Sequence, residues 1–410
     1  MGKKILIVSQ YFYPENFRIN DIAKEWVKIG HEVTVITGIP NYPEGKFYKG
    51  YSWAKRRSES IHDIKIIRLP IFSRGKSKLK LITNYISFVF SGYIWKLKTK
   101  LKFDLIFVYE VSPMTQALPG IWLGKKLKIP VILYVTDLWP ENVEIVAGVK
   151  NKFVLKQIGK MVDYIYAKSK LILTSSDSFI DSISSRGVSK LKLKYWPQYA
   201  EDVYHPFRGS NLMGHLIPND GRLNIIFTGN IGYAQGLDLL PKVAQKLKLK
   251  QIIVRFNIVG EGRFKKPLIE LVEEYGVKEY FNFIDKQSSE NIPKLLSLCD
   301  CGLIILNENP LFSMTIPAKT QSYLACGIPI LASVDGEVFN LVNQNKIGIA
   351  TKAGDEMGLV EAIVKFSLLN QEEINEFRKN ALNYNENNFS KTKLLNQMEL
   401  WFEQVIQERQ

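Results

Sequence analysis

The stretch from Thr315 to Pro329 contains the clearest candidate for anion chemistry in the chain. Its sequence predicts a helix that starts at Pro317, because proline is well tolerated in the first helical turn, and that ends at Gly327. The first turn would place Lys319 beside backbone N–H groups that have no partner inside the helix, and both favour a bound anion. The residues therefore predict a phosphate site, although an ordinary capped helix with a solvated lysine would have the same sequence.

A second candidate for phosphate binding is the glycine-rich stretch 228–236, which follows the predicted strand 224–227. Three glycines between a strand and a helix allow backbone N–H groups to approach a phosphate closely. A tight strand-to-helix turn also uses glycine, so this signal is modest by itself. Residues 260–263 form a similar stretch after the predicted strand 255–259.

Two carboxylates stand where predicted buried strands end. Glu110 follows the predicted strand 104–109, and Asp137 comes shortly after the predicted strand 130–135. Ligands of open α/β sheets bind at the carboxyl ends of the strands, so these carboxylates suit a site for sugar hydroxyls. For Asp137 the structural alternative is a helix cap or a salt bridge within a loop.

Two loops rich in polar and aromatic residues lie nearer the start of the chain. The first loop, 11–18, contains Asn16, Phe17 and Arg18, and the second, 39–45, contains Asn41 and Tyr42. Such residues at strand ends are typical of ligand-binding loops, although a packed aromatic corner explains them equally well. No Gly-x-Gly-x-x-Gly follows the first strand, so a standard dinucleotide site is not expected there.

These stretches belong to alternating strand and helix patterns that occur twice in the 410 residues. The alternation predicts an α/β protein with two domains, 1–205 and 223–390, joined by a linker at 206–222. The charged amphipathic helix 391–410 is expected to pack back on the first domain. Three cysteines without a Cys-x-x-Cys pair favour reduced thiols in the cytoplasm over disulfides or a zinc site. The first residues lead straight into a predicted strand and not into an apolar signal segment, so secretion is not expected.

The formal net charge of +15 predicts an anionic partner. No helix-turn-helix, zinc-finger or RNA-binding motif is present, so nucleic acid is not expected. The segment Lys76–Lys102 instead has an aromatic and apolar centre between lysine clusters, and that centre is shorter than the roughly 20 residues a bilayer span requires. The segment predicts a helix that lies on an anionic membrane; a core helix with solvated lysine ends is the alternative.

Together, these motifs resemble the family 4 retaining glycosyltransferases over nearly the whole chain. The general markers are Pro14, Gly30-His31-Glu32-Val33, Thr228-Gly229-Asn230, Val259-Gly260-Glu261-Gly262 and Tyr323-Leu324-Ala325 before Gly327 and Pro329. Further motifs resemble the bacterial surface-polysaccharide branch described as N-acetyl-L-fucosamine transferases, namely Pro14–Arg18, Asn41–Gly45, Asp137–Glu141 and Ile316–Lys319. The resemblance implies the GT-B arrangement, in which two Rossmann-like domains face each other across a cleft.

The chain also departs from the family pattern. Many family members have two glutamates around the helix, and Met314 and Ser322 occupy those positions here. Asn230 and Gln235 stand where an arginine and a lysine are usual after the glycine-rich turn. The nearest basic replacements are Lys319 and Arg263, with Arg18 from the first domain as a further candidate, while Ser322 or Glu337 could bind the ribose. Asp137 replaces the histidine that many members place beside the donor sugar.

The resemblance implies that a nucleotide-sugar, expected to be a UDP-sugar such as UDP-N-acetyl-L-fucosamine, binds the second domain and reacts with retention. No Asp-x-Asp motif is present, so neither a metal nor a cofactor beyond the co-substrate is expected. The implied catalytic residues are Asp137, Glu110 and Lys319. The implied donor-binding residues are Gly229, Asn230, Gly232, Gln235, Glu261, Gly262, Arg263, Ile284, Lys319, Gln321 and Ser322. The implied acceptor or diphosphate loop contains Asn16, Phe17, Arg18, Asn41, Tyr42 and Glu141.

The expected acceptor is a polyprenyl-diphosphate-linked glycan of capsule, O-antigen or exopolysaccharide synthesis. The enzyme is then expected in the cytoplasm, peripheral on the inner face of the cytoplasmic membrane. Two other functions remain open, because GT-B folds also include UDP-sugar 2-epimerases and because a non-catalytic nucleotide-binding scaffold could have the same fold. An epimerase would leave the basic aromatic segment near residue 90 unexplained.

Overall fold

The computed structural model describes residues 2–75, 77–145, 148–209 and 213–408. The chain forms two compact units, one made of Met1–Trp196 with Asn396–Gln410 and the other of Pro197–Leu395. The change between units therefore falls at 196–197, and the predicted linker 206–222 lies inside the second unit. Residues 210–212 of that linker are outside the described residues.

The first unit contains a sheet of eight strands in the order β3-β4-β2-β1-β5-β6-β7-β8. Its strands are β1 Lys4–Val8, β2 Glu32–Gly38, β3 Ser58–Ile61, β4 Ile64–Leu69, β5 Leu105–Glu110, β6 Val131–Val135, β7 Leu171–Thr174 and β8 Leu193–Tyr195. Its helices are α1 Arg18–Lys28, α2 Lys78–Lys98, α3 Ala117–Leu127, α4 Glu141–Ile145, α5 Lys152–Lys168 and α6 Ser178–Ser185. All described pairs are parallel except β3 with β4.

The second unit contains a six-stranded parallel sheet in the order β11-β10-β9-β12-β13-β14. Its strands are β9 Leu223–Thr228, β10 Val254–Val259, β11 Phe281–Ile284, β12 Cys301–Ile305, β13 Ile330–Ser333 and β14 Gly348–Thr351. Its helices are α7 Leu239–Leu249, α8 Lys265–Glu274, α9 Ile292–Leu296, α10 Pro310–Ser313, α11 Ala318–Ala325, α12 Gly336–Gln344, α13 Glu356–Ser367 and α14 Gln371–Asn388. The last helix, α15 Lys391–Gln407, ends in the first unit.

The predicted α/β architecture is confirmed, since both units are Rossmann-like parallel sheets covered by helices. The strands are continuous apolar runs because both faces of a parallel sheet are buried; β5 and β6, for example, are buried at every position. The sequence did not predict β3, which is a short edge strand of alternating exposed and half-buried residues. Its Ser-Glu-Ser-Ile sequence lacks the apolar signal of the buried strands.

Each sheet reverses its strand order once, between β1 and β5 in the first unit and between β9 and β12 in the second. Loops that leave the carboxyl ends of these strands diverge to opposite faces and leave a crevice that ligands occupy. The loop after β1 and the glycine-rich stretch after β9 both start at such a position. The topology therefore places one predicted ligand loop of each unit at its reversal point.

The α2 helix lies in the segment for which membrane docking is predicted. It buries only Asn84, Phe88, Ser91 and Gly92. Its exposed apolar residues form a stripe at helical spacing: Leu79, Ile82, Ile86, Phe90, Tyr93, Ile94 and Leu97. Phe88 belongs to the aromatic centre of this segment, for which membrane contact is predicted, but it is fully buried and packs in the core instead. Lys76 lies outside the described residues, and no helix within the described ranges is long and apolar enough to cross a membrane.

Candidate functional site

In the second unit, the two glycine-rich stretches are joined to each other at the carboxyl ends of β9, β10 and β11. The N–H of Gly229 donates to Val259 O at 3.0 Å, and the N–H of Gly260 donates to Ile284 O at 3.1 Å. Gly260 has a φ of 144°, and a Cβ there would lie 1.9 Å from Gly229 O. Glycine is therefore required for the loops to meet, in addition to any role in phosphate approach.

The side chains predicted to bind the donor within these stretches have different environments. Gln235 Oε1 accepts the N–H of Gly232 at 3.0 Å, so this amide closes the turn after β9. Asn230 and Arg263 are exposed. Glu261 is also exposed and forms an ion pair with Lys265 at 2.6 Å. Asn230 and Arg263 are therefore available to a ligand, whereas Gln235 already has a structural partner.

Lys319 lies in the first turn of α11, as predicted, and Pro317 occupies the N-cap position. The ammonium Nζ sits 3.3 Å from the centroid of the Phe227 ring, at the end of β9. A Cβ on Gly229 would lie 3.8 Å from the same Nζ. Lys319 therefore reaches from α11 to the base of the glycine-rich loop, and the two predicted phosphate-binding features come together.

The environment of this ammonium is apolar. Burial lowers the pKa of Lys319 well below its ordinary value. Within the described ranges no carboxylate lies within ion-pair distance of Lys319, and the face of the Phe227 ring lies 3.3 Å from its Nζ. Lys319 is half-buried, and a cation partly removed from water without a counter-ion is costly, so a bound anion at this position would be favoured.

Three other predicted donor residues are enclosed by protein. The amide nitrogen of Gln321, oriented as a donor, lies 3.1 Å from Pro317 O and 3.2 Å from Ala318 O. Ser322 Oγ donates to Ala318 O at 3.3 Å, and the Ile284 side chain is buried. Gln321 and Ser322 bond to carbonyl groups at the start of α11, and Ile284 packs in the core. Their positions therefore do not support the predicted contacts with the donor.

In the first unit, Asp137 lies two residues after β6, close to the end of β5. Its Oδ2 accepts the N–H of Ser112 at 2.7 Å. The Glu110 carboxyl lies beneath this loop, with Oε2 3.5 Å from the N–H of Asp137. Burial raises the pKa of both acids, and for Glu110 the Asp137 charge raises it further.

Only one of these two acids can face a ligand. Asp137 is partly exposed, whereas Glu110 is completely enclosed, and its Oε1 has no hydrogen-bond partner among the described residues. The prediction that Glu110 contacts sugar is therefore not supported by its position. Because its carboxyl lies beneath the Asp137 loop, Glu110 is placed to hold that loop.

Glu15, which the sequence reasoning did not assign to the site, fixes the two aromatic loops of the first unit. Its Oε1 accepts the N–H groups of Asn41 and Tyr42, each at 2.7 Å. Burial is the main cause that raises the pKa of Glu15 to about 7. Asn41 is buried, and its Oδ1 accepts the N–H of Arg74 at 2.8 Å. Asn41 therefore joins loops, and Tyr42 carries the exposed side chain.

The remaining predicted acceptor residues surround these loops. Phe17 stacks on Tyr11 with ring centroids 5.2 Å apart, and Asn16 is exposed. Arg18 is buried, so it is not placed at the surface of its unit. Glu141 begins α4, half-buried, and its Oε2 is enclosed without a hydrogen-bond partner among the described residues. Phe17, Asn16 and Glu141 thus remain candidates for ligand contact.

Two family models match the chain, one in each half. Residues 17–198 match the model Glycosyltransferase Family 4, and residues 212–384 match the model Glycosyl transferases group 1. WcaI of Escherichia coli K12, named as a colanic acid biosynthesis glycosyl transferase, is 26% identical over 340 residues, which are 79% of this chain and 81% of that protein.

Solved structures share the fold at low sequence identity. Sucrose-phosphate synthase from Thermosynechococcus elongatus superposes with a TM-score of 0.77 at 15% identity and covers 99% of this chain and 100% of that chain. Anabaena Alr3699/HepE in complex with UDP-glucose has a TM-score of 0.71 at 14% identity, and the match covers 98% of this chain and 100% of that chain. The paired Rossmann-like sheets and the two family matches lead to one assignment: the chain is a group 1, family 4 glycosyltransferase of the GT-B fold.

Proposed function

We propose that this enzyme transfers a sugar from a UDP-sugar, with retention at the anomeric carbon, to a lipid-linked glycan of exopolysaccharide synthesis. The observation that carries the proposal is the position of Lys319, beneath the glycine-rich loop after β9 and at the start of α11. HepE, a structural relative, binds UDP-glucose in its crystal. WcaI, the sequence relative, is named for colanic acid biosynthesis. Both similarities support the proposal.

The proposed chemistry needs stabilisation of the departing diphosphate. As the bond between the anomeric carbon and the donor oxygen breaks, negative charge develops on that diphosphate and positive charge on the sugar ring. N–H groups at the start of α11 and the Lys319 ammonium would stabilise the diphosphate. Because Lys319 has no counter-ion among the described residues, its interaction with the departing group is not weakened by a competing carboxylate.

Asp137 is the side chain of the first unit that we propose to contact sugar. Asp137 is a partly exposed residue, and its carboxylate accepts the Ser112 N–H. It would orient an acceptor hydroxyl, and the departing phosphate would accept the proton of that hydroxyl as the new glycosidic bond forms. Glu110 is then a positioning residue that acts through the Asp137 backbone.

A lipid-linked acceptor requires the enzyme to work at a membrane surface. The apolar stripe of α2 is exposed along the helix, with Phe90 64% and Ile86 62% accessible. Lys78, Lys80, Lys96 and Lys98 flank the stripe, and α2 has no acidic residue. Apolar side chains between lysines are the composition of helices that lie in the headgroup region of anionic bilayers. We therefore propose that α2 docks the enzyme on the inner face of the cytoplasmic membrane.

A ligand screen followed by product analysis tests the proposed function. UDP-sugars, including UDP-N-acetyl-L-fucosamine, should raise the melting temperature, because a ligand at about 100 times its Kd stabilises the native state by roughly 2.7 kcal/mol. GDP- and dTDP-sugars are the controls that show whether the enzyme distinguishes uracil from other nucleobases of the donor. Incubation of the enzyme with a sugar-labelled UDP-sugar and a membrane lipid extract should then release UDP and transfer the label to the lipid fraction.

The same assay distinguishes the alternatives. A 2-epimerase would convert the UDP-sugar to its epimer without any acceptor, and a scaffold would bind it without turnover. Thermal stabilisation by GDP-sugars alone would contradict the proposed donor class. The absence of a labelled lipid in the presence of UDP binding would contradict the proposed acceptor.

A further inference from the structure

Arg74 is a cation in the first unit that neither the sequence motifs nor the proposed mechanism uses. It lies between β4 and α2, and its backbone N–H donates a hydrogen bond to Asn41 Oδ1. Its Nη1 donates to the Tyr11 hydroxyl at 2.8 Å. Its guanidinium carbon lies 5.2 Å from the centroid of the Tyr42 ring and 6.0 Å from that of Tyr11. Arg74 is therefore positioned by contacts with three residues of the two aromatic loops.

Arg74 differs from Arg68 and Arg255 in having no carboxylate partner among the described residues. Arg68 pairs with Glu59, and Arg255 pairs with Asp220. Arg74 is half-buried, yet no carboxylate within the described ranges lies within ion-pair distance of it, and its Nε and Nη2 have no described hydrogen-bond partner. A partly desolvated guanidinium that keeps two donor groups unused is expected where a ligand supplies the anion.

The rings beside Arg74 form a surface suited to a sugar. Tyr11, Phe17 and Tyr42 have mutual centroid distances of 5.2 to 5.7 Å. Tyr11 is buried, whereas the Tyr42 ring is 39% exposed. An exposed ring beside one buried and one half-buried ring offers an apolar face against which the C–H face of a pyranose can pack, while the adjacent guanidinium binds a charged substituent.

This arrangement also connects to the residue that we propose to orient the acceptor hydroxyl. The Tyr85 hydroxyl interacts with that of Tyr11, and its pKa is raised by burial and, in part, by the charge of Asp137. Arg74, Tyr11 and Tyr85 are therefore connected within the first unit, and Asp137 lies close enough for its charge to act on Tyr85. An acceptor held at Arg74 would lie in the same part of the first unit as Asp137.

We propose that Arg74 and Tyr42 form the acceptor subsite, in which Arg74 binds an anionic group on the glycan and Tyr42 packs against a sugar ring. This inference rests on the proposed function for the identity of the acceptor, but the binding of an anionic sugar does not depend on it. The anion has two sources with the same chemistry. It is either the phosphate next to the first sugar of a lipid-linked glycan or the carboxylate of an acidic sugar.

The test is calorimetric binding to the full-length chain of three probes: N-acetylglucosamine 1-phosphate, glucuronic acid and the neutral methyl N-acetylglucosaminide. The wild type is expected to prefer one of the two anionic probes. Arg74→Gln should lower the affinity for that probe about tenfold or more, because charge-assisted hydrogen bonds are lost. Arg74→Lys should restore part of the affinity. Arg56→Gln is the matched control, because Arg56 also stands over a tyrosine, with 5.2 Å between its guanidinium carbon and the Tyr51 centroid.

Each outcome decides the proposal. Preference for the sugar phosphate assigns the anion to the lipid carrier, and preference for glucuronate assigns it to an acidic sugar. Equal binding of the anionic probes by wild type and Arg74→Gln would overturn the subsite, as would a wild type that prefers the neutral glycoside. UDP binding is measured on every variant. An unchanged melting temperature shows that Arg74→Gln is folded, and the absence of UDP binding in the wild type would instead refute the proposed function.

Discussion

Replacement of Lys319 by methionine is the most direct test of the donor site. Methionine keeps the length and apolar stem of the side chain and removes the ammonium that lies 3.3 Å from the Phe227 ring. Hydrogen bonds to charged groups contribute about 1.5–3 kcal/mol. Lys319→Met should therefore weaken UDP-sugar binding about ten- to a hundredfold.

The same substitution should not destabilise the unliganded protein by a comparable amount. The pKa of Lys319 is lowered in the folded state, so the unfolded chain binds more protons over the range between that pKa and the ordinary value of 10.5. Wild-type stability therefore rises with pH across this range. The variant lacks this dependence and avoids the cost of desolvating the amine, although it loses a cation–π contact that contributes about 2 kcal/mol or more when the cation is desolvated.

Calorimetry of UDP binding and urea unfolding at neutral pH measure the two effects separately. Lys352→Met is the matched control, because Lys352 also stands over a ring, with its Nζ 4.3 Å from the Phe339 centroid, but is largely exposed. It should change neither quantity. If Lys319→Met binds UDP as tightly as the wild type, Lys319 is not a diphosphate ligand. If the variant unfolds under native conditions, the ammonium has a structural role that the contacts do not reveal.

Further predictions concern turnover, metal, pH and the membrane. Asp137→Asn should slow sugar transfer while UDP binding and the melting temperature stay unchanged. If the variant transfers sugar at the wild-type rate, Asp137 has only a structural role. Activity should survive EDTA, because no Asp-x-Asp motif is present; loss that magnesium or manganese restores would contradict this. The pKa of Glu15 is raised from 4.5 to about 7, so the folded state binds the extra proton and wild-type stability should fall as pH rises through that range. Glu15→Gln keeps an oxygen that can accept the two N–H groups but has no carboxyl group to titrate. Urea unfolding should therefore show a smaller loss of stability between pH 5 and pH 8 in this variant than in the wild type. Ile86→Ser with Phe90→Ser should abolish co-sedimentation with phosphatidylglycerol vesicles, and wild-type protein that ignores such vesicles at low salt would refute docking through α2.

Much of the fold could be predicted because its signals are local. Continuous apolar runs predict buried parallel strands, and Pro317 and Gly327 lie at the two ends of α11. The glycine-rich stretch after β9 likewise depends on backbone conformation, with Gly229 at a φ of 125°. These features follow from the allowed dihedral angles and the burial preference of a few adjacent residues, so neighbouring residues suffice to predict them.

The orientation and environment of individual side chains depended on tertiary structure. Asp137 and Glu110 are equivalent in sequence, each a carboxylate at or just after a strand end, yet one is partly exposed and the other fully enclosed. Glu15 lies within the Pro14–Arg18 motif but is not among the predicted site residues, and Arg74 lies in no motif; both join loops that are far apart in the chain. Sequence alone determined which chemical groups reach the carboxyl edges of the sheets. Packing decided which of them are accessible and charged, because burial and partner distance are properties of residues brought together only by the fold.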